Sequence, residues 1–179
     1  FTKMQGIGND FIVINCLENQ FPEADLPKIA QVLNDRRFGI GGDGIVLVLP
    51  SSKHDMQMRM LNPDGSEAEM CGNGIRCFAR YVRDNNLTDK SSLRVETLAG
   101  PIGIELVEID GMTQVKVDMG KPRLNRADIP VSGTQTDTVI GESVTVLDRT
   151  FQFTAVSMGN PHIVIFEDSV KDFPLEKIG

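Results

Sequence analysis

A chain of 179 residues that is 40% hydrophobic and 24% charged can bury a real core, as one large domain or two small ones, and its composition is neither that of a disordered chain nor that of a membrane protein. The net charge of −7 argues against contact with a phosphate backbone, so no nucleic-acid partner is expected. No apolar run approaches the roughly 20 residues needed to span a bilayer, and Lys3, Asn9 and Asp10 interrupt the apolar residues where a signal peptide would lie, so no membrane partner is expected either.

Phe11-Ile-Val-Ile14 is a short β-branched run and predicts a buried strand. Asp25 can cap a helix that carries Pro27 in its first turn, continues through Ile29, Ala30, Val32 and Leu33, and ends at Gly39. Gly39-Ile-Gly-Gly-Asp-Gly44 has the G-x-G-x-x-G spacing, but it follows a helix and precedes a strand. A dinucleotide fingerprint needs the opposite order, so the segment is read as a glycine-rich turn that lets backbone approach a ligand. Residues 45–49 predict a second buried strand. Met56, Met58 and Met60 alternate with Gln57 and Arg59, a half-buried strand whose methionines pack the core.

Asn62-Pro-Asp-Gly65 is a turn. Residues 74–86 read as a helix with Ile75, Phe78, Ala79 and Val82 on one face, widened by Cys77 and Tyr81. Strands follow at 93–98, 102–109 and 112–119, the last two joined at Asp110-Gly111. A hairpin of 144–147 and 151–156 is expected to turn at Asp148-Arg149, with a last strand at 162–166 and a short helix from Phe173 onward. Many hairpin-linked strands and few helices predict an α+β fold, not a doubly wound parallel sheet.

The chain also repeats itself. Gly8-Asn9-Asp10-Phe11-Ile12-Val13-Ile14 aligns with Gly159-Asn160-Pro161-His162-Ile163-Val164-Ile165, identical at five of seven positions at an offset of 151. Two related halves are the expectation. Asn9 precedes Cys71 by 62 residues, and the same spacing from Asn160 puts a second cysteine near position 222, beyond Gly179. The expected organisation is therefore an N-terminal domain at 1–117, which carries Cys71, and the incomplete start of a related domain at 118–179.

Three cysteines, Cys16, Cys71 and Cys77, form no C-x-x-C pair, and an odd count does not suggest a disulfide framework. A reducing, cytoplasmic location is expected. Cys77 falls on the apolar helix face and Cys16 follows a strand, so both read as core. Cys71 differs, because Met70-Cys-Gly-Asn-Gly-Ile-Arg-Cys77 sets it just before a helix whose first turn holds two glycines. Helix N-termini expose unpaired N–H groups and positive partial charge. Such a setting favours a thiolate, and the same N–H groups can hold a carboxylate. A thiol base beside a carboxylate anchor is what abstraction of an amino acid's α-proton requires. Asn9, Asn62, Asn73 and Asn160, each in a turn beside a strand or helix end, offer neutral amides to carboxylate and ammonium groups alike. His162, two residues after Asn160, could orient a substrate or tune a thiol.

At these residues the sequence resembles the diaminopimelate epimerases. The stretches that carry the resemblance are Lys3-Met-Gln-Gly-Ile-Gly-Asn-Asp-Phe11, Asn62-Pro-Asp-Gly-Ser-Glu67, Met70-Cys-Gly-Asn-Gly-Ile-Arg-Cys-Phe78 and Val156-Ser-Met-Gly-Asn-Pro-His162. The resemblance spans the whole chain but only about the first two-thirds of a family member. It implies two similar domains, each a mixed, mostly antiparallel sheet wrapped around a central helix. It also implies an isomerase of lysine and peptidoglycan-precursor biosynthesis that inverts one α-carbon of LL-diaminopimelate to give the meso isomer, with no cofactor and no metal. In that chemistry two cysteines face each other across the substrate. Cys71 matches the first, His162 matches a histidine that assists catalysis, Asn9, Asn62 and Asn160 match substrate-binding positions, and Gly72 and Asn73 match positions that bind substrate through their backbone.

Some family members bind substrate with a Gln where this chain has Gly44, and that contact is absent here. The second cysteine belongs to the part beyond Gly179, so the chain as given is not expected to complete a two-base inversion alone. The expected partners are the small-molecule substrate, diaminopimelate, and at most a second copy of the chain in a homodimer. Two alternatives stay open from the sequence: a related two-cysteine racemase of the proline type, and a non-catalytic module that binds an amino acid at its helix N-terminus.

Overall fold

Runs of β-branched and long aliphatic residues bounded by polar turns build a sheet that is buried on both faces near its centre. The computed structural model describes residues 1–133 and 137–179. They fall into two units, Phe1–Met119 and Gly120–Gly179.

The first unit contains β1 (Thr2–Gly6), β2 (Asn9–Asn15), α1 (Leu26–Asn34), β3 (Gly44–Leu49), β4 (Met56–Leu61), β5 (Glu67–Ala68), α2 (Gly72–Asp84), β6 (Ser92–Thr97), β7 (Gly100–Ile109) and β8 (Met112–Asp118). Its sheet runs β1-β2-β3-β4-β6-β7-β8, with β5 attached to β4. The β2–β3 and β4–β6 pairs are parallel and the others antiparallel. Helix α2 packs against both edge strands, β1 and β8, as well as β2, β3 and β4, so the sheet curls around it.

Strand alternation decides which side chain meets which helix. Phe11, Val13, Val46, Val48, Met58 and Met60 point inward onto Ile75, Phe78 and Val82 of α2. Ile12, Ile45, Leu47 and Leu61 point outward onto Leu26 and Ala30 of α1. Phe11, Ile75, Phe78 and Val82 are wholly excluded from solvent. The methionine alternation read from the sequence is realised, with Met56, Met58 and Met60 buried.

Most element bounds shift by a residue or two, Asp25 precedes α1 without a side-chain capping bond, and three further departures have a clear local cause. Helix α2 starts at Gly72, two residues early, because Cys71 caps it. Helix α1 stops at Asn34, not at Gly39. The segment after it folds back, and the N–H groups of Ile40 and Gly41 both donate to Leu33 O at 2.9 Å, closing the helix's last carbonyls. The third departure is in the second unit, where the hairpin turns at Leu147-Asp148, because Arg149 already pairs with Val146.

That unit carries β9 (Glu142–Val146), β10 (Arg149–Ser157), β11 (Pro161–Ile165) and the short helix α3 (Leu175–Ile178). The strands form an antiparallel sheet in the order β11-β10-β9. Ile129, Val139, Phe153 and Ala155 make its core. Among the described residues no helix is long and apolar enough to cross a membrane.

Candidate active site

The sheet register of the first unit gathers polar residues from distant parts of the chain at one end. Parallel pairing sets Phe11 beside Gly44, and antiparallel pairing sets Ile45 beside Leu61. The start of β2 (Asn9, Asp10), the start of β3 (Asp43, Gly44) and the exit of β4 (Asn62) are therefore neighbours. The N-terminus of α2 arrives at the same end. Asn73 Nδ2 donates to Asn9 Oδ1 at 3.4 Å. A Cβ on Gly6 would lie 3.3 Å from Asn73 O, a tight contact, so the glycine lets the β1–β2 turn lie close against the helix start.

Cys71 has extended backbone (φ −140°, ψ 114°) and its Sγ accepts from the Gly74 N–H at 3.4 Å. It is half-buried, whereas Cys16 and Cys77 are buried, and all three thiols are free. Burial pushes the thiols of Cys16 and Cys77 above their ordinary value. The N–H groups of the first helical turn, at Gly72 and Asn73, open beside the sulfur.

Around Asn9 lies a charged network. Asn9 Nδ2 donates to Asp43 Oδ2 at 2.8 Å, and the Asp10 N–H donates to the same oxygen at 3.0 Å. Arg36 bridges Asp10 Oδ1 (2.6 Å) and Asp43 Oδ1 (2.8 Å), and Lys3 reaches Asp10 Oδ2 at 2.7 Å. The Arg36 guanidinium first, then the Lys3 ammonium, hold the Asp10 carboxyl well below the usual carboxylate range. On the helix side, Arg76 donates from its guanidinium to Asn73 Oδ1 and from Nε to Gly72 O at 3.2 Å.

Of the residues singled out from sequence, Asn9, Asn62, Cys71, Gly72 and Asn73 stand at this one end of the first unit. Asn62 is held within its own turn, its Nδ2 donating to Ser66 Oγ at 3.0 Å. Asn160 and His162 belong to the second unit, where both are exposed and His162 Nε2 lies 3.1 Å from Asn160 Oδ1. Gly44 is buried, and a Cβ there would meet Leu61 O at 3.0 Å and Met60 Cε at 3.1 Å, so this chain has no room for a Gln without repacking. Sequence reasoning missed Asp43, Arg36 and Arg76. Asp43 sat inside the glycine pattern dismissed as a nucleotide motif, and its charge between glycines was the one available signal.

The glycines of that pattern serve the chain itself. A Cβ on Gly39 would lie 2.2 Å from Val32 O, so the loop can cross the end of α1 only with glycine there.

A helix held in a curled, mostly antiparallel sheet, with a cysteine capping its N-terminus, defines an α+β fold of the diaminopimelate epimerase-like class. Among solved structures, a phenazine biosynthesis protein of the PhzF family from Bacillus anthracis superposes with a TM-score of 0.63 at 25% identity, covering 92% of this chain and 52% of that one. A hydroxyproline epimerase from Agrobacterium vitis shares the fold at a TM-score of 0.60 and 15% identity, over 91% of this chain and 50% of that one. The family model described as diaminopimelate epimerase matches residues 1–125. Proteins named diaminopimelate epimerase from Methanococcus maripaludis strain C6 and Acetivibrio thermocellus are 48% and 50% identical over 180 aligned residues, covering 100% of this chain and 64% and 63% of theirs. The chain belongs to the diaminopimelate epimerase family, and it spans just under two-thirds of the length of the relatives it matches.

Proposed function

We propose that the full-length protein epimerises LL-diaminopimelate to meso-diaminopimelate by two-base proton transfer, with Cys71 as one of the two acid/base groups. The observation that carries this reading is the capped thiol. Cys71 Sγ sits half-buried beside the open first turn of α2, with Gly72 and Asn73 presenting backbone N–H groups next to it. In this reading those N–H groups and the amides of Asn9 and Asn62 bind the carboxylate and ammonium of one amino-acid end. The Cys71 thiolate takes the α-proton, and a second acid donates a proton to the opposite face of the planar carbanion. In the reverse direction the roles exchange. Neither step changes an oxidation state, so the residues need supply only proton transfer and charge stabilisation.

We assign the second acid to a cysteine that follows the second repeat. Support comes from the Gly-Asn turn and Ile-Val-Ile strand shared by β2 and β11, each the second strand of an antiparallel hairpin. By the same reading, residues 118–179 begin a second related domain that brings Asn160 and His162 to the substrate, His162 to assist catalysis and Asn160 to bind. Three free cysteines fit a reducing, cytoplasmic setting.

The test is the native gene product carrying Cys71→Ala, assayed with LL-diaminopimelate and for α-proton exchange in D2O. Loss of epimerisation by about a thousandfold or more is expected for removal of one acid/base group. Retained activity would remove Cys71 from the mechanism. Ligand binding by the unmutated protein without α-proton exchange would replace the enzyme by a binding module.

A further inference from the structure

We infer that Asp43 is a positioning residue, which fixes the amide orientation of Asn9 and, through Asn9, that of Asn73; this rests on reading those two asparagines as ligand-binding groups.

An asparagine amide has two ends of nearly equal shape and opposite hydrogen-bonding character, so only its partners decide which end points where. A carboxylate accepts and cannot donate. Asp43 Oδ2 takes the Asn9 Nδ2 at 2.8 Å and the Asp10 N–H at 3.0 Å, while Oδ1 takes Arg36 at 2.8 Å. The Asp43 N–H returns a bond to Asp10 O at 2.7 Å. The carboxylate is thus fixed on both oxygens and at its own backbone, and it cannot swing away from Asn9 without breaking several bonds.

The consequence runs along the network in one direction. With Nδ2 turned to Asp43, Asn9 must present Oδ1 on its other side, and there it meets Asn73 Nδ2 at 3.4 Å. Asn73 must in turn present its own Oδ1 away from Asn9, where the Arg76 guanidinium donates to it. Donation passes from Arg76 to Asn73, from Asn73 to Asn9 and from Asn9 to Asp43. Flipping Asn9 would set its oxygen against Asp43 Oδ2 and its N–H groups against those of Asn73, and flipping Asn73 would set its oxygen against Asn9 Oδ1 and its N–H groups against the Arg76 guanidinium. Among the described residues, Asn9 and Asn73 each keep one side-chain N–H that no protein group accepts. Those two donors stand at the first turn of α2, two residues from the Cys71 thiol in the case of Asn73. The relay therefore fixes which end of each amide is the donor at this end of the unit, and Asp43 is the anion that sets that sense.

The experiment is a double-mutant cycle in the full-length protein, with kcat/KM measured for Asn9→Ala, Asp43→Ala and the pair. If Asp43 acts through Asn9, each single variant loses about ten- to hundredfold, and the pair is no worse than Asn9→Ala alone. A loss in the pair equal to the product of the single losses would mean that Asp43 acts independently, and it would overturn the inference. Asp43→Asn fills the same volume and gives a second readout that needs no activity. Replacing a charge-assisted bond by a neutral one is expected to move the Asn9 side-chain amide proton upfield in a 15N–1H spectrum. An unmoved Asn9 resonance would equally overturn it. Should the unmutated protein show no epimerisation, the functional reading fails, while the amide spectrum still decides the orientation.

Discussion

The Gly74 amide donates to Cys71 Sγ at 3.4 Å, so the thiol closes the first turn of the helix around which the first unit is built. Sulfur is a weaker acceptor than the serine or aspartate oxygens usual at this position. Its use here leaves a free, half-buried thiol at the helix N-terminus.

Selective alkylation should follow. Cys16 and Cys77 are 1% and 4% exposed, and burial raises both thiols, whereas Cys71 is accessible. Under native conditions near neutral pH, iodoacetamide should modify Cys71 faster than either by about tenfold or more. Peptide mass spectrometry at short reaction times checks this, and equal labelling of all three would contradict it.

Gly39→Ala should be strongly destabilising. The added methyl would lie 2.2 Å from Val32 O, 2.8 Å from Leu33 O and 2.9 Å from Asp35 O, and backbone atoms cannot rotate aside. Overpacking of this kind costs about 1–3 kcal/mol or more. A denaturant melt that kept the midpoint of the unmutated chain would show that the loop relaxes freely.

Ile7 should be improvable. It occupies the left-handed region (φ 55°) in the β1–β2 turn and is 83% exposed. A β-branched residue in that conformation is strained by about 1–2 kcal/mol, and asparagine tolerates it better. Ile7→Asn is expected to raise the thermal midpoint by a few degrees, and a lowered midpoint would mean that the isoleucine makes a contact worth more than the strain.

Asp10 should make stability fall in acid. Its carboxyl is depressed by Arg36 and then Lys3, so the contribution is fully present above the ordinary carboxylate value of 3.8 and is lost as pH falls below that toward the lower folded value. The Arg36 partner is 59% exposed, which limits the effect to under about 1 kcal/mol. Asp10→Asn should lower the melting temperature at neutral pH, and the gap to the unmutated chain should close as pH drops below about 4. A gap that stayed constant through that range would count against the ion pair.

What the sequence determined by itself was local. The β-branched run at 11–14, the methionine alternation and the 3.6-residue stripe of Ile75, Phe78, Ala79 and Val82 each carry their own period, and each became the element that it implied. The place of Cys71 at a helix start followed from the glycines after it. Tertiary structure decided the partners. Asn9 and Asn73 are 64 residues apart and touch only because the sheet curls around α2. Asp43 reaches Asn9 because β2 and β3 pair in parallel with Phe11 beside Gly44, a pairing between strands separated by a helix and so invisible to hairpin reasoning. Gly39 looked like a helix stop and is instead the point where a loop crosses the last carbonyls of α1. Periodicity is written in neighbouring residues, whereas register and loop crossings are settled by which distant surfaces bury each other best. A site assembled from β2, β3 and α2 therefore exists only in the folded chain.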